Sequence, residues 1–232
     1  MIEWYLRWKF TFLFGTMVGL LVVQALFEDA AFHQQLFSVL YSFVLIATVI
    51  GFAREPRLRW FLVILGVLAL SGTWSVSSLG TDAARELILA DRVLAVVFLG
   101  VTAVLVIRRV ILETRVTIDT LMGSVCAYLL IAATFGMSFS AIEVGKPGSF
   151  LMKGSPMDSD FDQTANINEW IYYSFMTLTT LGYGSVMPAS RIAGTLTWIE
   201  AMTGQFYLAV LVARLVGLHT VPNIAPSPDD EQ

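Results

Sequence analysis

The chain has 232 residues, 56% of them hydrophobic, with a mean hydropathy of +0.73 and a formal charge of −4. That apolar content exceeds what a soluble domain carries and identifies a membrane protein. No basic block suggests a nucleic-acid partner. No Gly-rich phosphate loop, metal-ligand cluster or nucleophile–base pair marks an enzyme, so neither catalytic residues nor a cofactor are expected.

Charge-poor apolar runs divide the chain into six expected spans. Phe10–Phe27, Gln34–Ala53, Trp60–Thr81 and Thr120–Ile142 are each about long enough to cross ~30 Å of hydrocarbon. Phe10–Phe27 is long for the apolar core of a secretory signal and is read as a span. Its Gly15 and Gly19 form a small-residue pair suited to close helix contact. In the third span, Ser71, Thr73, Ser75, Ser77 and Ser78 are expected to bond to neighbouring helices. The fourth, Val93–Ile107, is short and borrows Asp91, Arg92 and Arg108 at its ends, with the arginines snorkelling. Cys126 in the fifth span reads as a packed core residue. The sixth, Ile192–Val216, is broken only by Glu200 and Arg214.

With both termini inside, nine Lys and Arg fall on the cytoplasmic side and five on the outer side, as the positive-inside rule asks. Residues 1–116 form a peripheral unit of four spans, 117–220 a second unit, and 221–232 a Pro-rich acidic tail expected to be disordered and cytoplasmic. The outer loop Glu143–Asn168 has turn signals at 146–149 and 154–156. Its Glu143, Asp158, Asp160 and Asp162 suggest an acidic rim. Glu169–Thr180 is too short and too polar to cross, which fits a helix that enters the membrane halfway.

That half-helix leads into Thr180-Leu181-Gly182-Tyr183-Gly184, followed by Ser185 and, soon after, Pro188. Glycines at 182 and 184 permit backbone angles closed to other residues, so successive carbonyls can point one way. Irregular backbone at membrane depth survives only where it lines a cavity or is buried in protein. The segment resembles the selectivity filter of potassium channels. From about Thr117 to Leu218 the chain is similar to the bacterial ion channel pore family. Further matches are 147–150, Tyr172-Tyr173-Ser174-Phe175, 200–209 and 212–216.

The resemblance implies an all-α membrane protein with six transmembrane helices, a re-entrant pore helix and a filter, assembled as a homotetramer. It implies K+ held by the backbone carbonyls of Thr180, Leu181, Gly182 and Tyr183, with Tyr172, Tyr173, Met176, Ser185 and Glu200 as filter support. Gly204 stands where the family has a hinge or close-packing point. Gln205, Leu208, Val212 and Val216 would face a central cavity. A bacterial plasma membrane is implied, with lipids as surroundings and an unidentified regulatory ligand left open. Two departures stand out: Ser185 replaces the usual Asp, and Met176 occupies a position where some pores carry a carboxylate. Ser185 raises a weakly selective monovalent cation channel as a rival reading, and a non-conducting membrane scaffold or partner subunit is a second rival.

The fourth span has no Arg or Lys within it, although the layout is that of voltage-gated channels. Moving one elementary charge through 100 mV is worth ~2.3 kcal/mol, and a sensor needs several such charges. Weak voltage dependence is therefore expected, with Arg92, Arg108 and Arg109 at the edges of the field.

Overall fold

In the computed structural model of the protein, the described residues are 9–26, 56–79, 85–113, 117–152, 155–156 and 167–220. The expected second span, Gln34–Ala53, lies outside them, as do Asp158, Asp160, Asp162 and the tail 221–232. The long helices are α1 (Lys9–Leu26), α2 (Pro56–Leu79), α3 (Arg85–Leu112), α4 (Ile118–Gly145) and α6 (Arg191–Thr220), with a short α5 (Ile167–Leu178). Three helices, Arg85–Leu112, Ile118–Gly145 and Arg191–Arg214, are long and apolar enough to cross a membrane. The protein is an integral membrane protein. α5, at 12 residues, rises only ~18 Å and cannot cross.

The expectation of an all-α chain needs one correction. β1 (Phe150–Met152), β2 (Ser155–Pro156) and β3 (Val186–Pro188) form a small antiparallel sheet in the order β2-β1-β3. Ser155 and Pro156, expected in a turn, lie in this sheet. Its register places Phe150 opposite Pro188 and Met152 opposite Val186. Short strands with Pro at the edge carry little alternation, which is why the sequence pattern did not betray them.

One apolar core joins α1 through α4, with Phe10, Leu13 and Met17 on α1, Leu62 and Leu65 on α2, Phe98 and Val106 on α3, and Cys126 and Leu130 on α4. The Cys126 thiol is fully buried there and contacts the Phe10 carbonyl at 3.6 Å. Gly15 and Gly19, by contrast, meet nothing within 4 Å among the described residues.

Helix ends in this bundle are capped by their neighbours. The Asp119 carboxylate at the start of α4 accepts from the Phe10 and Thr11 amides at 3.0 and 3.1 Å. Those amides lie in the first turn of α1, the end of a helix that such side chains cap. Arg85 on α3 donates to the Val144 and Gly145 carbonyls that close α4. Arg214 on α6 donates to the Val110 and Glu113 carbonyls at the end of α3. Arg214 is therefore a cap for another helix. Cationic side chains suit helix C-termini because the unpaired carbonyls carry partial negative charge.

The charges on α3 also differ from expectation. Asp91 and Arg92 are buried within the bundle, each 2% exposed, and pair at 2.9 Å. Thr73 on α2 donates to the same carboxylate at 2.9 Å. The hydroxyls of Ser71 and Ser75 donate to carbonyls of their own helix, while the Thr73 hydroxyl makes a cross-helix bond of the kind expected. The side chains of Ser77 and Ser78 lie outside the described residues.

Removing one member of a buried ion pair leaves an uncompensated charge and costs about 3–5 kcal/mol. Arg92→Gln is therefore expected to lower the thermal unfolding midpoint of the purified protein sharply. The double change Asp91→Asn with Arg92→Gln restores neutral hydrogen bonding and is expected to recover most of that loss. Equal midpoints for wild type and Arg92→Gln would show that the pair contributes nothing.

Candidate functional site

α5 packs between α4 and α6, and its polar face is tied to both. Ser174 donates to the Ala132 carbonyl on α4 at 2.6 Å. The Tyr173 and Thr197 hydroxyls meet at 2.9 Å, joining α5 to α6. Around Tyr173, Phe139, Phe150 and Trp170 form edge-on ring pairs with centroids 4.9–5.6 Å apart. Such pairs resist sliding because ring edges and faces carry opposite partial charge.

The C-terminal end of α5 lies at the middle of the neighbouring helices. Tyr128, within α4, donates to the Leu178 carbonyl at 3.3 Å. A Cβ on Gly204, within α6, would lie 2.5 Å from that same oxygen. Glycine there permits the close approach, so the contact seen at Gly204 is packing against the end of α5. Tyr207, one turn on, donates to the Ser124 carbonyl at 2.6 Å and holds α6 to α4.

From this end the chain turns back in an extended segment. The Met176 carbonyl accepts both the Leu181 and Gly182 amides, at 2.9 and 3.1 Å. Thr180, Gly182 and Gly184 adopt left-handed φ of 59°, 57° and 75°. Every second residue is thus inverted. In an ordinary strand successive carbonyls point to opposite sides, and inverting alternate residues brings them to one side. The sequence marked two of these positions through their glycines. Thr180 was missed, although its even spacing from 182 and 184 was the available signal. A β-branched residue at positive φ is strained, by about 1–3 kcal/mol, and persists only where its surroundings impose it.

The carbonyls of Thr180, Leu181, Gly182 and Tyr183 receive no hydrogen bond from any described residue. Leu181 and Tyr183 are 53% and 70% exposed in the single chain. Beyond them Ser185 is half-buried and Val186 enters the sheet, where Ala189 and Ser190 amides bond the Ser149 carbonyl at 2.8 and 3.0 Å. Glu143 supports that sheet: its two oxygens accept the Gly148 and Phe150 amides at 2.7 and 3.0 Å. A carboxylate so buried and bonded braces a loop, which corrects its expected place on an acidic rim.

The remaining sequence-derived residues fall as follows. Tyr173 is buried, while Tyr172 is largely outward. Met176 serves the segment through its carbonyl rather than its half-buried side chain. Glu200 is fully buried and contacts Ser174 on α5. Gln205, Leu208, Val212 and Val216 lie exposed along one side of α6, next to the seam of Glu200, Gly204 and Tyr207 that packs inward.

Residues 124–220 match the family described as Ion channel. The chain is 32% identical over 127 residues to Protein LctB of Bacillus caldotenax, covering 53% of this chain and 90% of that protein. It is 29% identical over 99 residues to the inward rectifier potassium channel Kirbac3.1 of Paramagnetospirillum magnetotacticum, covering 41% of this chain and 28% of that protein. No solved structure gives a significant match.

The contact at Gly204 makes a direct test. Gly204→Ala places a methyl against the Leu178 backbone, and overpacking of this kind costs about 1–3 kcal/mol. Its unfolding midpoint is expected to fall below that of wild type. Gly194→Ala, with nothing within 4 Å of the added carbon, is expected to match or exceed wild type because Ala favours a helix. Equal behaviour of the two variants would show that α5 does not rest on Gly204.

Proposed function

Since the chain belongs to the ion channel family, with a pore domain of the potassium-channel type, we propose that it is a potassium-selective channel that passes K+ passively and depends little on voltage. The observation that carries this reading is the row of four carbonyls that no described residue donates to. Unpaired carbonyls facing lipid would cost several kcal/mol each. Facing a dehydrated cation, the same oxygens replace its water. Thr180 adds a hydroxyl at the inner end. K+ is the permeant ligand, and the reaction has no catalytic step.

One such segment cannot surround an ion, so the proposed assembly is a homotetramer around a common axis. The exposed Leu181 and Tyr183, together with the exposed side of α6 at Gln205, Leu208, Val212 and Val216, support that arrangement. Gln205 would form a polar ring in an otherwise apolar cavity. The C-terminal ends of four α5 helices would add partial negative charge there and favour a cation. The proposed setting is a bacterial plasma membrane, with six spans per subunit and both termini cytoplasmic. Ser185 motivates the rival reading of a weakly selective monovalent cation channel.

The paired charges on α3 support weak voltage dependence. Asp91 and Arg92 cancel, and a neutral pair gains nothing from the membrane potential.

Purified protein in liposomes is expected to pass K+ and Rb+ while excluding Na+, and its mass in nanodiscs is expected to be that of four chains. Gly182→Ala is expected to abolish selective conduction, because a Cβ opposes the left-handed angle. Comparable Na+ and K+ permeability in bi-ionic recordings would establish the weakly selective reading. Absence of flux would favour a scaffold, and a stable monomer would remove the pore.

The conductance–voltage curve is expected to be shallow. A slope equivalent to several charges per subunit would assign a sensor to the first four spans.

A further inference from the structure

Glu200 presents a problem of proton counting. It lies within α6, 0% exposed, and one carboxyl oxygen meets the Ser174 hydroxyl. The other oxygen has no partner among the described residues. The same Ser174 oxygen lies 2.6 Å from the Ala132 carbonyl. Ser174 itself is fully buried. Three helices, α4, α5 and α6, thus meet at one hydroxyl.

A hydroxyl has one proton to donate. If Glu200 were ionised, Ser174 would face two acceptors, and one close contact would set lone pair against lone pair. If Glu200 carries the proton, both contacts are satisfied: the acid donates to Ser174, and Ser174 donates to Ala132. The unpartnered oxygen argues the same way. An ionised carboxylate without a cation, buried in a membrane span, is far costlier than a neutral acid whose carbonyl oxygen lacks one bond. No basic side chain among the described residues pairs with Glu200.

We propose that Glu200 is held as a neutral carboxylic acid and acts as a hydrogen-bond donor that fixes the height of α5 against α6. It is a positioning residue for the carbonyl row. Ser174 lies one turn before Leu178, at the end of the helix whose Met176 carbonyl anchors the Leu181 and Gly182 amides. Loss of the donor frees that last turn, and the carbonyls follow it. The functional consequence rests on the potassium-channel reading; the proton itself does not.

Infrared spectroscopy of the full chain in lipid at neutral pH reads the proton without reference to conduction. The difference spectrum of wild type minus Glu200→Gln is expected to contain the carbonyl stretch of a protonated carboxylic acid. Ser174→Ala is expected to shift that band. In parallel, bi-ionic recordings compare two replacements of similar size. Glu200→Gln keeps an N–H that can donate to Ser174 and is expected to hold the wild-type K+/Na+ permeability ratio within about twofold. Glu200→Leu has no donor and is expected to lower it about threefold to tenfold, as the loss of one hydrogen bond would. Absence of the acid band in wild type overturns the proposal. So does a Glu200→Gln channel as impaired as Glu200→Leu. If Glu200→Leu does not fold, the infrared band and the Glu200→Gln ratio still decide. If no variant conducts, the channel reading fails while the band still reports the proton.

Discussion

Four successive backbone carbonyls that receive no hydrogen bond from the described residues, at 180–183, are the constraint around which the second half of the molecule is arranged. Peptide oxygens in a low-dielectric setting must be paired or must face something polar. To keep them aligned, the segment is pinned at both ends. On one side the Met176 carbonyl takes two of its amides. On the other, β3 is stitched to β1, and β1 is held by the Glu143 carboxylate. Neither pin uses the side chains of the segment, which leaves its backbone to be shaped by φ alone.

The short helix that delivers the segment is fixed by contacts of three kinds. Close backbone approach at Gly204 sets its distance from α6. The aromatic group around Tyr173 sets its rotation. The polar junction of Ser174, Ala132 and Glu200 sets its height. Each acts on a different degree of freedom.

Helices in lipid gain little from apolar burial against one another, because lipid tails are equally apolar. The bundle answers with polar ties at the ends of its helices. Asp119 reaches the start of α1, Arg85 the end of α4 and Arg214 the end of α3. These ties fix the relative heights of neighbouring helices. The tie at Arg214 also links α3 to the C-terminal half of α6. The buried Asp91–Arg92 pair, with Thr73, adds a further tie inside the bundle between α2 and α3.

Much of this was legible in the residues. The apolar runs located the long helices, since a span must be apolar over its length. The glycines at 182 and 184 and the half-length helix before them marked the unusual backbone, because few sequences combine the two. What stayed hidden depended on partners distant in sequence. Arg92 looked like an interfacial charge, and only the packing of α2 beside α3 brings Thr73 to the Asp91 carboxylate that Arg92 pairs with; Arg214 is placed by the open end of α3. Glu143 looked like part of an acidic surface, and only the fold brings two loop amides to its oxygens. The small sheet went unseen because its strands are two or three residues long and pair through backbone. By itself, then, the sequence determined where long apolar helices run and that the backbone at Gly182 and Gly184 is free to be left-handed, since hydropathy and the lack of a Cβ are local properties. Tertiary structure alone decided which charges are buried, which helix ends are capped and that Glu200 shares one hydroxyl with Ala132. Those outcomes depend on which helices stand side by side, and hydrogen-bond geometry acts over a few ångströms whatever the distance along the chain.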